Sequence, residues 1–161
     1  MDTADPCALT VEHRYSQSPR HIWTVIHSPA FILANWVTEL RPAVFTVTAG
    51  AVVYLKTLPI PGTPFSGQLT CRYTEIREPE YVGFTLESIA TQAWVLYGSC
   101  MLVADAGGCR LTLTLSGFEA GRSDHIFVRE VLAGAMQFVL FDASRRVALS
   151  RRPEMLHNLL T

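Results

Sequence analysis

The sequence is poor in charge and has no long apolar run. Only 17% of its 161 residues are charged, and 13 lysines and arginines stand against 14 acidic residues. A nearly neutral chain without a basic cluster argues against nucleic acid as a partner. No stretch reaches 18 uncharged apolar residues, so no membrane span is expected. The opening MDTADPCALT lacks the basic and apolar parts of a signal peptide, and we therefore expect a cytoplasmic protein.

Familiar catalytic and metal-binding patterns are also missing. Cys7, Cys71, Cys100 and Cys109 show no CxxC spacing, and the five histidines show no ligand spacing. No GxSxG elbow and no glycine-rich phosphate loop occurs. The sequence therefore predicts no metal and no cofactor. In a cytosolic chain the cysteines would stay reduced and act as small buried apolar residues.

Apolar residues are what the sequence has in excess. They make up 49% of the chain, and the mean hydropathy is +0.23. A chain of this length forms one domain with one core. The excess must be buried in a dense core, a lipophilic cavity or a partner surface. We expect a disordered leader at residues 1–7, one domain over 8–152, and a C-terminal tail at 153–161.

Local patterns predict the order of the elements. Alternation over residues 9–16 predicts a first strand, and Ser18–Pro19 and Ser28–Pro29 are cap-then-proline starts of two short helices. Ala49–Gly50 is a hairpin turn signal. Six strands follow the helices, over residues 43–48, 51–58, 65–77, 81–88, 91–104 and 110–116. A helix of about 28 residues, roughly 42 Å long, begins at Ser123 or Asp124.

The last helix carries an apolar stripe too wide for contact along a single edge. Because it follows a series of antiparallel strands, a curved sheet is needed to cover it. The predicted class is therefore α+β, in the order β-α-α-β6-α, with a curved antiparallel sheet wrapped around the long C-terminal helix. Such an arrangement often leaves a hollow between helix and sheet.

Three stretches carry a family resemblance. HIWTVIHSPAFILANW is similar to a helix-turn-helix opening, CRYTEIREPEYVGFTLES to the motif GxYxEIxPPxxLxFTW, and GGCRLTLTLSGF to GGTxLTLxxxGF. Together they resemble the START-like (SRPBCC) helix-grip superfamily, closest to its heat-shock-ATPase-activator-like branch and the polyketide cyclase/dehydrase relatives. The chain departs from these motifs at Val37, Cys71, Leu86 and Cys109.

The resemblance implies a function as well as a fold. It suggests that a small hydrophobic or amphipathic molecule binds in a cavity between the sheet and the C-terminal helix. A polyketide cyclase/dehydrase-like enzyme and an activator-like protein-interaction module are the alternatives, and the last also admits a homodimer. Because the superfamily shares no catalytic set, the resemblance does not decide whether the protein is an enzyme.

Inward strand faces and the concave side of the last helix would line the cavity. The candidate ligand-binding residues are Trp36, Val82, Phe84, Leu86, Trp94, Leu111, Leu113, Phe127, Val131, Gly134 and Phe138. Gly134 stands out because a glycine inside a helix costs roughly 1 kcal/mol relative to alanine. The missing side chain would leave room for a ligand or for a crossing strand. The expected entrance lies between residues 59–64, 88–91 and 117–122.

The candidates for acid–base chemistry are Tyr73, Glu75 and His125. Tyr73 and Glu75 share one face of a regular strand, so both would point inward as a general acid/base pair or outward as a solvated surface. Burying an unpaired acid is costly, which favours the outward orientation. His125 lies in the first turn of the long helix, where it serves as a cap and rim residue or transfers protons. No catalytic residue is assigned.

Overall fold

The computed structural model describes residues 5–89 and 93–149, with side chains through Val147. Its elements follow the predicted order, and the α+β class is confirmed. They are β1 (Ala8–Tyr15), α1 (Pro19–Ile26), α2 (Pro29–Asn35), β2 (Glu39–Arg41), β3 (Val52–Lys56), β4 (Gln68–Arg77), β5 (Tyr81–Ser88), β6 (Trp94–Asp105), β7 (Gly108–Ser116) and α3 (Ser123–Leu149). None of the helices in these two ranges is long and apolar enough to cross a membrane.

All seven strands form one curved antiparallel sheet in the order β1-β7-β6-β5-β4-β3-β2. Strands β2 to β7 therefore follow one another as a meander, and β1 adds to the free edge of β7. Helix α3 packs against β1 and α1. Tyr15 of β1 fastens this contact, because its buried hydroxyl donates a 2.8 Å hydrogen bond to the carbonyl of Leu140. The helix is thus held at one side of the sheet.

The short helices begin where the sequence predicts. The Ser18 hydroxyl accepts a hydrogen bond from the His21 backbone N–H at 3.3 Å, and the Ser28 hydroxyl accepts one from Phe31 at 3.2 Å. A proline occupies the first turn of each helix. The serine satisfies a backbone donor that the first helical turn leaves unpaired, and the proline lacks such a donor. This prediction is confirmed.

The strand predicted at residues 43–48 was wrong. The second strand is instead the short β2, whose three residues pair with β3 from Glu39 opposite Lys56 to Arg41 opposite Tyr54. Pro42 follows directly and has no backbone N–H to continue a ladder. Val44, in the middle of the predicted strand, is 84% exposed. Alternating apolar residues there reflect a loop with some inward contacts.

Strand β4 contains an irregularity that simple alternation does not anticipate. It starts at Gln68, three residues later than predicted, after Gly67 has taken a positive φ of +78°. Its pairing with β5 shifts between Tyr73 and Glu75, which is the signature of a β-bulge. One extra residue reverses the faces of all that follow. Tyr73 is consequently buried, whereas Glu75 is exposed.

Hydrogen bonds attach the described part of the N-terminal segment to the rest of the domain. Of the expected leader, residues 5–7 are described, and the Cys7 carbonyl accepts hydrogen bonds from the backbone of Gly117 and Phe118 at 3.2 Å. The Pro6 carbonyl accepts one from the Arg129 guanidinium at 2.6 Å. Residues 1–4 and the expected tail at 153–161 lie outside the described residues.

Candidate functional site: a cavity between the sheet and the long helix

A cavity of about 680 Å³ lies between the sheet and α3. Volumes of 300–1,000 Å³ are typical of small-molecule sites. Its floor comes from the inward residues of β4, β5 and β7, among them Leu69, Val82, Leu111 and Leu113. These strands alternate with period 2, so that every second side chain faces the hollow. The cavity is the space that α3 leaves uncovered by packing toward β1.

Part of the floor depends on a glycine. Phe84 of β5 lies directly opposite Gly98 of β6 in the antiparallel register. A Cβ atom at Gly98 would overlap the Phe84 ring, so the ring occupies space that any other residue would fill. Phe84 lines the cavity and packs against the core. Gly98 therefore fixes the shape of the floor.

The entrance is marked by apolar side chains that line the cavity and are also exposed. Leu58, in the segment between β3 and β4, is 76% exposed, and Phe127 and Val131 of α3 are 51% and 39% exposed. Ile32 and Trp36, from α2 and its C-cap, complete this side. The cavity thus opens between α2, residues 57–61 and the N-terminal half of α3.

Comparisons of sequence give no match to any protein-family model and none to curated proteins. Solved structures are similar in fold. A Mesorhizobium loti protein, MLL2253, is 16% identical with a TM-score of 0.65, covering 89% of this chain and 98% of that chain. The Rhizobium loti protein Mll3558 is 20% identical with a TM-score of 0.64, covering 85% and 95%. The Aha1 dimer from Colwellia psychrerythraea is 11% identical with a TM-score of 0.60, covering 80% and 90%.

The chain has the helix-grip fold. The element order, the single antiparallel sheet and these neighbours agree on it. At such low identity the likeness concerns the fold alone, and the site must be judged from this chain's own residues.

Most of the predicted ligand-binding residues line the helix-grip cavity. They are Trp36, Val82, Phe84, Leu86, Leu111, Leu113, Phe127 and Val131. Three others lie outside the lining. Trp94 is buried at the start of β6, Gly134 has open space where its Cβ would be, and Phe138 is 69% exposed. No described residue outside the helix backbone comes within 4 Å of that position, so no strand crosses close to Gly134.

The expected entrance is correct on one side. Residues 59–61 of the proline-rich loop line the cavity, whereas neither Ser88 nor any residue of 117–122 does. The rest of the 88–91 turn includes positions 90 and 91, which lie outside the described residues. Helix α2 and residues Phe127 and Val131 provide the opposite side instead.

The acid–base candidates are separated by the fold. Tyr73 lies on the cavity floor and stacks on Phe45 at 6.0 Å between ring centroids. Glu75 faces outward, with a 59% exposed side chain in a 3.3 Å ion pair with Arg77. The bulge between Tyr73 and Glu75 thus removes the paired arrangement that unbroken alternation would give.

His125 belongs to a packed cluster outside the cavity lining. Its ring stacks on Trp94 at 4.0 Å, and its Nδ1 accepts a 3.0 Å hydrogen bond from the Glu119 backbone N–H. Trp94 in turn donates its indole N–H to the Gly117 carbonyl at 3.0 Å. Burial lowers the pKa of His125, and the Arg122 charge lowers it further. These contacts hold the loop of residues 117–122 against the start of α3.

Apart from Tyr73, sequence reasoning did not place the polar side chains of the cavity. His27, the C-cap of α1, lines the cavity, as do Asn35, Cys71 and Cys100. One signal for His27 was available, since it follows Trp23 by four residues and so shares its side of the helix. The two rings pack edge to face at 4.5 Å.

Burial keeps the titratable cavity groups uncharged. It raises the pKa of the Cys71 and Cys100 thiols to about 12 and also raises the pKa of the Tyr73 phenol. It lowers the pKa of the His27 imidazole to about 4. Burial is the largest cause of each shift, because a low-dielectric surrounding disfavours the charged form of any group. At neutral pH the thiols and the phenol are protonated and the imidazole is neutral.

We expect acid to destabilise the protein through His27. The pKa of a histidine is 6.5 when unperturbed and about 4 here, so the unfolded chain binds the proton more readily between these values. Above pH 6.5 His27 is neutral in the folded and unfolded states, and its protonation does not lower the free energy of unfolding. About 3 kcal/mol of that free energy is lost as the pH falls toward 4. Urea unfolding of the wild type and His27→Phe from pH 7.5 to 4 measures this. His13 and His125 also have lowered pKa values and add to the pH dependence of both proteins. The difference between wild type and variant therefore isolates the contribution of His27. Equal slopes in both proteins would contradict the prediction.

Proposed function

We propose that the protein binds a small hydrophobic or amphipathic molecule in the cavity between the sheet and α3. The observation that carries this proposal is the cavity itself, about 680 Å³ in volume and lined largely by aliphatic and aromatic side chains. A hollow of this size and lining offers packing contacts to an apolar occupant. Transfer of the occupant's apolar surface out of water supplies the driving force.

The motif resemblance supports the same function. The three stretches favour the activator-like branch of the START-like superfamily and its cyclase/dehydrase relatives. A cyclase or dehydrase needs an acid–base group at its substrate. Of the three candidates, Glu75 and His125 lie away from the cavity, and Tyr73 lines it with a phenol whose pKa is raised by burial. An activator-like module or a homodimer would use exposed apolar surface, such as Phe138 and Phe141 at 69% and 60% exposure.

Homologous primary alcohols would test the proposal. Each buried methylene contributes about 0.8 kcal/mol, so each added carbon should tighten binding about fourfold until the cavity is full. The measurement is displacement of the uncharged fluorescent dye N-phenyl-1-naphthylamine from the purified protein. Mass spectrometry of the natively purified protein would show any molecule that it already carries. Absence of saturable dye binding together with absence of a bound molecule would contradict the proposed function.

A further inference from the structure

Helix α3 is apolar on two opposite sides. The side that faces the domain is buried and carries Val128, Met136, Val139, Ala143 and Val147. Half a turn away lies an exposed row, here called the outer stripe, which consists of Phe127, Val131, Gly134, Phe138 and Phe141. Its members are separated by four, three, four and three residues. This seven-residue repeat is the pattern by which one helix packs along another.

The outer stripe is large enough to be part of an interface. Its three phenylalanines are 51%, 69% and 60% exposed, and at about 200 Å² for a fully exposed ring they present roughly 360 Å². Exposed apolar patches of this size are often functional. A specific interface buries at least about 1,200 Å² over both partners, so two facing stripes need about 250 Å² more from each copy. Val131 and the exposed neighbours Glu130, Gln137 and Arg145 are large enough to supply it.

Gly134 lies at the centre of the outer stripe. A Cβ there would meet nothing within 4 Å outside the helix backbone, so no contact within the described chain requires a glycine. A glycine inside a helix is unfavourable relative to alanine, but it lets a second backbone approach closely. Phe127 and Phe141 stand seven residues before and after it, and Val131 and Phe138 stand three before and four after. The stripe is therefore nearly the same when its direction is reversed about Gly134.

We propose that two copies of this chain form an antiparallel dimer by packing their outer stripes across a two-fold axis at Gly134. Phe127 of one copy then packs against Phe141 of the second copy. Val131 likewise packs against Phe138. An interface of this kind is self-complementary, because each copy presents the same surface. Since Phe127 and Val131 also border the cavity, the second copy lies beside its entrance.

The charges along α3 are compatible with this arrangement. Arg145 continues the seven-residue spacing and falls beside Asp124, in the first turn of the second copy's helix. Asp142 comes near the same turn, and its charge is balanced by a 3.5 Å ion pair with Arg146. Nearer the axis, Glu130 falls opposite uncharged residues. No like charges thus face each other unbalanced along the described part of the helix.

Analytical ultracentrifugation of the full chain tests the dimer, which we expect to predominate at about 50 μM. Phe138→Glu should weaken association at least about 100-fold, because symmetry makes the substitution act twice and the buried charge has no partner. Tyr54→Glu is the matched control, since this aromatic residue of β3 is 56% exposed but lies outside the stripe. It should dimerise as the wild type does. A monomeric wild type, or equal weakening in both variants, would overturn the proposal.

Gly134→Leu tests the position of the axis. The variant should be at least as stable as the wild type in urea unfolding of the monomer, because its side chain enters open space and leucine favours a helix. Its dimer should nevertheless dissociate at least about tenfold more readily, because the backbones can no longer approach. A dimer of unchanged affinity would show that the helices do not cross at Gly134.

Disulfide formation between copies tests the direction of packing. Phe127→Cys and Phe141→Cys are prepared in a Cys7→Ser background, because Cys7 is an exposed thiol. The two positions lie about 21 Å apart along one helix, so neither variant should link to itself in an antiparallel dimer. A covalent dimer should form only when the two variants are mixed and oxidised. Linkage of either variant alone, or no linkage in the mixture, would overturn the antiparallel arrangement.

Discussion

Filling the cavity with two tryptophans should abolish binding of the uncharged dye while leaving the protein folded. The sites are Leu113 on the β7 floor and Ala135 on α3, both of which line the hollow. Leu113 is half-buried and Ala135 exposed, so the new rings can enter empty space without displacing the packed core. Overpacking of a filled core costs about 1–3 kcal/mol, and a pre-existing hollow reduces that cost. We expect dye affinity to fall by at least about 30-fold, or about 2 kcal/mol.

A control variant places two tryptophans on the same strand and helix but outside the cavity. It distinguishes filling of the cavity from general destabilisation of the protein. Thr112 precedes Leu113 on β7 and points to the opposite face of the sheet, and Gln137 is an exposed α3 residue outside the lining. Thr112→Trp with Gln137→Trp should bind the dye as the wild type does. Dye titration and thermal unfolding of both double variants provide the measurement. Equal affinities in the two would place the dye outside the cavity.

Replacing Gly67 with alanine should cost the protein about 2–5 kcal/mol of its unfolding free energy. Gly67 combines a φ of +78° with close backbone neighbours, since an added Cβ would overlap the Thr57 carbonyl oxygen and lie 2.9 Å from the Pro59 nitrogen. The φ value alone costs about 1–2 kcal/mol for an L-residue, and the overlap adds about 1–3 kcal/mol. The segment from Thr57 to Pro61 lines the cavity, so dye affinity should decrease as well.

Gly62 provides a matched control in the same loop. Its φ is +77°, but a Cβ there would meet nothing within 4 Å. Gly62→Ala should therefore cost only about 1–2 kcal/mol, the conformational part of the penalty. Urea unfolding of the two variants separates backbone conformation from backbone overlap. The reasoning fails if both variants lose the same free energy, or if dye affinity falls equally in both.

The sequence predicted those parts of the fold that depend on local chemistry. The serine caps at Ser18 and Ser28 were evident because a hydroxyl followed by proline satisfies the needs of a first helical turn. Strand β7 was equally evident, since Leu111, Leu113 and Leu115 alternate with polar residues without interruption. In each case the determining interaction lies within a few residues of the chain.

Prediction failed where a distant element determines the outcome. Glu75 was grouped with Tyr73 by alternation, but the register of β4 against β5 places a bulge between them. The apolar residues of α3 likewise did not show which side of the helix is covered. Val128, Met136 and Val139 are buried, whereas Phe138 and Phe141 remain exposed. Contact with β1 and α1, both far away in sequence, makes that distinction.

The candidate site also has a part that the sequence predicted and a part that it did not. Its floor could be predicted, since period-2 alternation fixes which side of a strand Val82, Phe84 and Leu86 occupy. His27 and the segment of residues 57–61 could not, because their place beside the cavity follows from the path of the whole chain.

By itself, the sequence determined an α+β chain with an apolar excess, capped short helices, an inward strand face and a long final helix. The tertiary structure alone decided that a hollow remains, because α3 is fastened by Tyr15 to the β1 side of the sheet. Alternation specifies the direction of a side chain, but not what lies opposite it. Whether Leu113 meets another side chain or an empty space depends on the position of a helix that begins ten residues later.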